Sequence, residues 1–132
     1  MADPKEPKAE VSETTPVIML PTEEPKISMR TIGLIGDVDE EKAGELIYGM
    51  LALKEYGRLP DEEQPKGKYK KQLYQPFEFY VSTHGGSASD MFAIYDVMRQ
   101  VRKDCEIHTI GIGKVMSAGV LLMAAGTRGK RK

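Results

Sequence analysis

A single cysteine, Cys105, stands in the whole chain, so no internal disulfide can brace it. The two histidines, with that cysteine, form no cluster at metal-ligand spacing, and neither a metal nor a cofactor is expected. Charge of one sign is also missing: 19 Lys and Arg against 20 Asp and Glu leave a net charge of −1. Such a balance gives no electrostatic case for a dedicated nucleic-acid binder. Long apolar runs are absent as well. The longest, Val115 to Ala125, is interrupted by Ser117 and too short to span a bilayer. Met1 to Glu10 is charged and carries proline where a signal peptide needs an apolar segment, so the expectation is a soluble protein of the reducing cytoplasm with no membrane partner. What is present is ordinary: 40% hydrophobic and 30% charged residues in 132 exclude wholesale disorder, collagen and a coiled rod, and allow one domain with a modest core.

Residues 1–28 hold five prolines and nine charges with no apolar periodicity, which predicts a disordered tail. Within it Val17 to Leu20, between Pro16 and Pro21, is a short apolar patch. Order is expected from residue 29 or 30 to the last residue. Thr31 to Ile35 reads as a strand closed by Gly36 and Asp37, then a helix capped by Asp39 carries Ala43, Leu46, Ile47, Met50 and Leu51 at helical spacing up to Gly57. Residues 57–76, twenty in number with eight charges and three prolines, are longer than compact domains leave unstructured, and read as an inserted surface loop or a binding element. Phe77 to Thr83 is the second strand, with Phe77, Phe79 and Val81 on one face. Ser87 and Asp90 open the second helix as a capping box, with Met91, Ile94, Tyr95, Met98 and Val101 on one stripe. Glu106 to Ile112 is the third strand, Gly113 to Met116 a turn, and Ser117 to Ala125 a helix with no polar face, expected to be buried all round. Strands alternating with helices place the chain in the α/β class with a mainly parallel sheet.

Two turns occupy the same place in this scheme. His84-Gly85-Gly86 and Lys114 to Ser117 each follow a strand and precede a helix, and at the carboxyl edge of a parallel sheet such turns face one cleft. Ser117 with the Ala118 N–H beside it, opposite a glycine turn that lets backbone approach closely, would make a nucleophile with two oxyanion donors, as acyl transfer requires. From these residues alone a plain N-cap serine and a plain Gly-Gly turn remain open.

The motifs go further together than singly. Gly36-Asp37-Val38, Val81-Ser82-Thr83-His84-Gly85-Gly86-Ser87, Ala93 to Met98, Gly113-Lys114-Val115-Met116-Ser117-Ala118-Gly119 and Ala124 to Arg131 resemble, in order, the proteolytic subunit of the ATP-dependent Clp protease from Met29 to about Arg131. The resemblance implies an α/β fold of the crotonase-like ββα superhelix type and a serine endopeptidase. It implies Ser117 as the catalytic serine and the N–H groups of Gly85 and Ala118 as the oxyanion hole. Gly86 with Ser87 would lie in the strip along which substrate peptide binds as an added strand. The implied partners are unfolded polypeptide, an AAA+ ATPase unfoldase, and further subunits, identical or not, of a double Clp ring.

Departures from the family pattern qualify this. Ser82-Thr83-His84-Gly85-Gly86 stands where the family usually has Asn-Ser-Pro-Gly-Gly, Met-Ser-Ala-Gly replaces Ala-Ser-Met-Gly, and the 57–76 insertion has no counterpart in a typical member. Fifteen residues follow Ser117, whereas the family's His and Asp lie further on. The 29–132 domain therefore reads as incomplete, truncated after the nucleophile helix, and inactive unless a separate chain carries the His and Asp half. His84 is the one substitute base to weigh, against the reading that it merely replaces a turn proline. His108 reads as a packed or surface imidazole, Asp90, Asp96 and Asp104 as caps or solvated helix faces, Arg128 to Lys132 as a solvated basic end, and Cys105 as a buried small residue. Alternative readings are a non-catalytic Clp-like ring partner or regulator, and another peptidase of this fold, of the phage prohead or signal-peptide peptidase type. An acyl-CoA enzyme of the crotonase type is least favoured, since it needs no serine at that turn.

Overall fold

The computed structural model of the protein describes residues 29–132; the 1–28 tail and its Val17 to Leu20 patch lie outside the described residues. Alternation in Phe77–Thr83 makes the central strand, β2, in which Phe77, Phe79, Val81 and Thr83 are buried and the residues between them only half so. Thr31–Ile35 forms β1 and Ile107–Val115 forms β3, and both pair with β2 in parallel in the order β1-β2-β3. Glu40–Tyr56 is α1, Ala88–Val101 is α2 and Ala118–Ala124 is α3.

The helices begin where the sequence signals them. The Asp39 carboxylate accepts the Lys42 N–H at 2.8 Å, and the Ser87 hydroxyl accepts the Asp90 N–H at 3.3 Å. The second half of a capping box is not made, because the Ser87 N–H is taken by the Val38 carbonyl at 2.9 Å. Along α1 the buried residues are Ala43, Leu46 and Met50, and Leu51 is 41% exposed while Leu53 packs against the core. A stripe of period 3.6 moves past Leu51 by that turn. Leu34, Met50, Phe79, Ile94, Met98 and Leu122 meet in one core on a single face of the sheet.

Three expectations are corrected here. The proposed turn at Gly113 to Met116 is mostly strand: β3 runs to Val115, and the irregularity is a bulge, with Val81 opposite Gly111 but Thr83 opposite Val115. Gly113, at φ 66°, takes up the extra residues. The third helix is not buried all round, since Val120 is 56% exposed and Ala124 lies on the same exposed side; three strands give it one surface to pack on. Nor are residues 130–132 a solvated end in their backbone. The Lys130 carbonyl, the Lys132 N–H and the Lys132 carbonyl bond with Thr109 and Gly111, so that Arg131 lies parallel to β3.

Residues 57–76 loop outward from closed ends. Arg58 and Tyr74 form an antiparallel bridge, and the Gln64 amide binds the Leu59 carbonyl at 2.7 Å, the Leu73 carbonyl at 3.0 Å and the Leu73 N–H at 2.7 Å. At the base of this loop Arg30 donates to the carbonyls of Leu53, Gln75 and Pro76. Asp104 is exposed, as expected, and its carboxylate also meets Lys54 of α1 at 3.0 Å.

Candidate active site

Because β2 and β3 run parallel, their carboxyl ends and the turns after them share one edge of the sheet. The bulge sets the alignment. It brings Val115 beside Thr83, after which the Met116 N–H donates to the Thr83 carbonyl at 3.0 Å, and Ser117 arrives next to Gly85. With the earlier register kept, Thr83 would stand opposite Gly113 and Ser117 would run past Gly85.

Ser117 is held at φ 51° and ψ −118°, the one non-glycine residue with positive φ among the described residues. Such a backbone is strained by on the order of 1–3 kcal/mol, and persists only where the surroundings impose it. Although it stands at the N-cap position of α3, the Ser117 side chain makes no capping hydrogen bond. The plain-cap alternative for this serine is thereby removed. Its exposed hydroxyl on a strained strand-to-helix turn has the form of a nucleophile elbow.

Gly85 faces it directly. A β-carbon on Gly85 would sit 2.8 Å from Ser117 Cβ, 3.1 Å from Ser117 Oγ and 3.3 Å from the Ala118 nitrogen. Its φ of 111° also belongs to glycine. The turn is fastened from behind by β1's exit: the Val38 N–H donates to the Gly85 carbonyl and the Val38 carbonyl accepts from Ser87 N–H, each at 2.9 Å. In this parallel bridge between Val38 and Gly86, the N–H and C=O of Gly86 itself point the other way. Any side chain at Gly86 would drive into the Val38 backbone.

Ser117, Gly85, Ala118 and Gly86 are thus brought together, with Ser87 immediately behind as the cap of α2. His84 is exposed, and among the described residues neither it nor His108 hydrogen-bonds to Ser117. His108 is instead engaged with Glu106, 2.8 Å away.

Displaced proton affinities lie elsewhere. Burial works against the charge on Lys54, but the bond and charge of Asp104 outweigh it and hold the ammonium above its ordinary value. A hydrogen bond to Glu78 raises the Tyr80 phenol. Burial raises the Cys105 thiol, against a smaller opposing effect of Arg30. Lys54, Asp104 and Cys105 sit at the end of the sheet away from Ser117, the Cys105 thiol bonding the Gln75 carbonyl just before β2.

Two residues escaped sequence reasoning. Thr83 is fully buried, and its Oγ1 accepts the Gly85 N–H at 3.0 Å. Its signal was legible as the one hydroxyl on the inward face of an otherwise apolar alternation. Val38 braces the glycine turn through backbone groups, and nothing in a side chain announces that.

The Clp protease family model matches residues 67–132. The chain is 33% identical over 105 residues to the ATP-dependent Clp protease proteolytic subunit 2 of Thermobifida fusca (strain YX), covering 80% of this chain and 43% of that protein. It is 34% identical over 102 residues to the protein of the same name from Corynebacterium jeikeium (strain K411), covering 77% and 41%. The chain thus spans about two fifths of the length of these curated relatives. Among solved structures, the catalytic domain of the ClpP protease from Plasmodium falciparum superposes with a TM-score of 0.61 at 26% identity, over 77% of this chain and 48% of that one. The likeness bears out the expected α/β fold with its parallel sheet. With half of its residues matched by the family model, the chain belongs to the Clp protease family.

Proposed function

We propose that this chain carries the nucleophile and oxyanion hole of a serine endopeptidase acting on unfolded polypeptide. The observation that carries the reading is Ser117, forced to φ 51° without capping α3 and with Gly85 packed against its Oγ. In the reaction Ser117 Oγ bonds to the scissile carbonyl carbon while its proton passes to an imidazole base. The electron pair of the C=O moves onto oxygen, facing the N–H groups of Gly85 and Ala118. The C–N bond then breaks, the amine leaves with the proton, and water releases the acyl group. Substrate lies extended along Gly86, whose N–H and C=O face away from Val38 and suit strand addition. Ser87, whose N–H is already bonded, supports that strip from behind.

The base and its orienting acid are supplied from outside these 132 residues, a reading supported by the lack of any hydrogen bond from His84 or His108 to Ser117 among the described residues. On this reading the chain works in the cytoplasm as part of an oligomeric Clp ring served by an ATPase unfoldase, and the likeness to subunits of an ATP-dependent Clp protease supports its being one subunit of such an assembly. A purely non-catalytic ring partner is disfavoured, because a scaffold has no need of a strained serine. The test is labelling by a fluorophosphonate probe once a polypeptide with the family's His and Asp is supplied. Label is expected on Ser117 and lost in Ser117→Ala; label that persists in Ser117→Ala sinks the assignment.

A further inference from the structure

The Gly85 N–H, needed at the oxyanion, is already engaged. It donates to Thr83 Oγ1 at 3.0 Å, while the Ala118 N–H donates in no hydrogen bond among the described residues. One hydrogen cannot serve two acceptors at full strength, so the resting hole offers one uncommitted amide rather than two.

Thr83 is built to hold this position. Its side chain is fully buried, its methyl lies against Gly119 of α3, and its carbonyl binds the Met116 N–H. It therefore touches both turns of the site at once. The Gly85 carbonyl belongs to a different peptide plane from the Gly85 N–H, and is anchored by the Val38 N–H at 2.9 Å, with a longer contact from the Thr83 hydroxyl at 3.4 Å. The His84–Gly85 plane can swing while the Gly85–Gly86 plane stays fixed. Two features permit the swing: Gly85 has φ freedom on both sides of zero, and His84 is exposed.

Resting on the peptidase reading above, we infer that Thr83 is a positioning residue that brakes the oxyanion hole. Its hydroxyl keeps the Gly85 N–H in a resting place, and the amide transfers to the developing oxyanion as Ser117 attacks. The brake acts on the acylation step through the amide and touches neither substrate nor Ser117 Oγ.

The experiment uses the 132-residue chain complemented by a polypeptide carrying the family's His and Asp, with a fluorophosphonate as probe. Ser117 Oγ bonds to phosphorus, the P–F bond breaks, fluoride leaves, and the serine proton passes to the imidazole. Thr83→Val keeps shape and methyl but removes the acceptor, and is expected to label about fivefold faster, the worth of one net hydrogen bond. Thr83→Ser restores the acceptor and should return the rate to that of the parent. In the wild-type adduct, a crystal structure should show the Gly85 N–H on the phosphonyl oxygen and out of reach of Thr83 Oγ1, a result that does not depend on Thr83→Val folding.

Equal labelling rates in all three chains overturn the brake and leave the peptidase reading intact. Slower labelling in Thr83→Val with recovery in Thr83→Ser would make the hydroxyl a support of the hole, and also overturns the brake. An adduct that keeps the Thr83–Gly85 bond does the same. Absence of any label at Ser117 refutes the peptidase reading, and the brake with it.

Discussion

At the scale of single residues, the site is governed by what Gly85 leaves out. An alanine there would place its methyl carbon within 2.8 Å of Ser117 Cβ, at a φ that L residues rarely adopt. The serine is the neighbour that would have to yield, and it is already strained. Gly85→Ala is therefore expected to lower Ser117 labelling by about 100-fold or more, the usual loss when an oxyanion donor is displaced. Labelling kinetics of the complemented chain check this, and a loss under tenfold would count against Gly85 as a donor. At the far end of the sheet Cys105 follows a different rule. Burial raises its thiol above the ordinary value of 9.0, so the folded state favours the protonated form. The stability this gives is whole below the ordinary value and is lost as pH rises through the raised one. Iodoacetamide at about pH 8 should modify the native chain far more slowly than the unfolded chain, and denaturation midpoints should decline above about pH 9.

Among the elements, the 57–76 loop and the base that holds it are expected to behave as separate units. Arg30 joins the start of β1 to the end of α1 and the entry to β2 through three carbonyls. Its replacement leaves those acceptors to water or to nothing. Arg30→Ala should lower unfolding stability by about 2 kcal/mol, measured by urea titration, given the usual worth of charged hydrogen bonds partly open to solvent. The loop beyond that base depends on Gln64, which binds Leu59 on one side of it and Leu73 on the other. The lysines at 66, 68, 70 and 71 beyond it are exposed. Trypsin should cut there first, and Gln64→Ala should speed the cut several-fold while the thermal midpoint stays nearly unchanged. A fall in midpoint together with faster cutting would show that the loop belongs to the cooperative core.

For the whole molecule, the sheet has one face covered by helices among the described residues. Glu78, Tyr80, His108 and Ile110 lie half-exposed on the other face, and Ile112, Met116 and Val120 are exposed near the site. Parallel sheets are ordinarily covered on both faces. The purified 132-residue chain is expected to hydrolyse no peptide, since no described histidine hydrogen-bonds to Ser117, and to gain turnover when the His and Asp half is supplied. Turnover by the chain alone, abolished by both Ser117→Ala and His84→Ala, would make His84 the base.

Periodicity and capping residues alone determined the order of strands and helices, the inward faces of β2 and α2, and the two glycine- and serine-bearing turns at one sheet edge, because each depends on neighbours within a few positions. The tertiary structure decided what those turns do. A bulge in β3 aligns Val115 with Thr83, and only that register brings Ser117 to Gly85. Serine capping reads the same in any N-cap sequence, whereas here Ser117 takes a positive φ where β3 hands over to α3 and makes no cap. The placement of Thr83 Oγ1 on the Gly85 N–H, of Val38 behind Gly86, and of residues 130–132 beside β3 rests on hydrogen bonds between segments distant in sequence or on turn geometry, to which local pattern is blind.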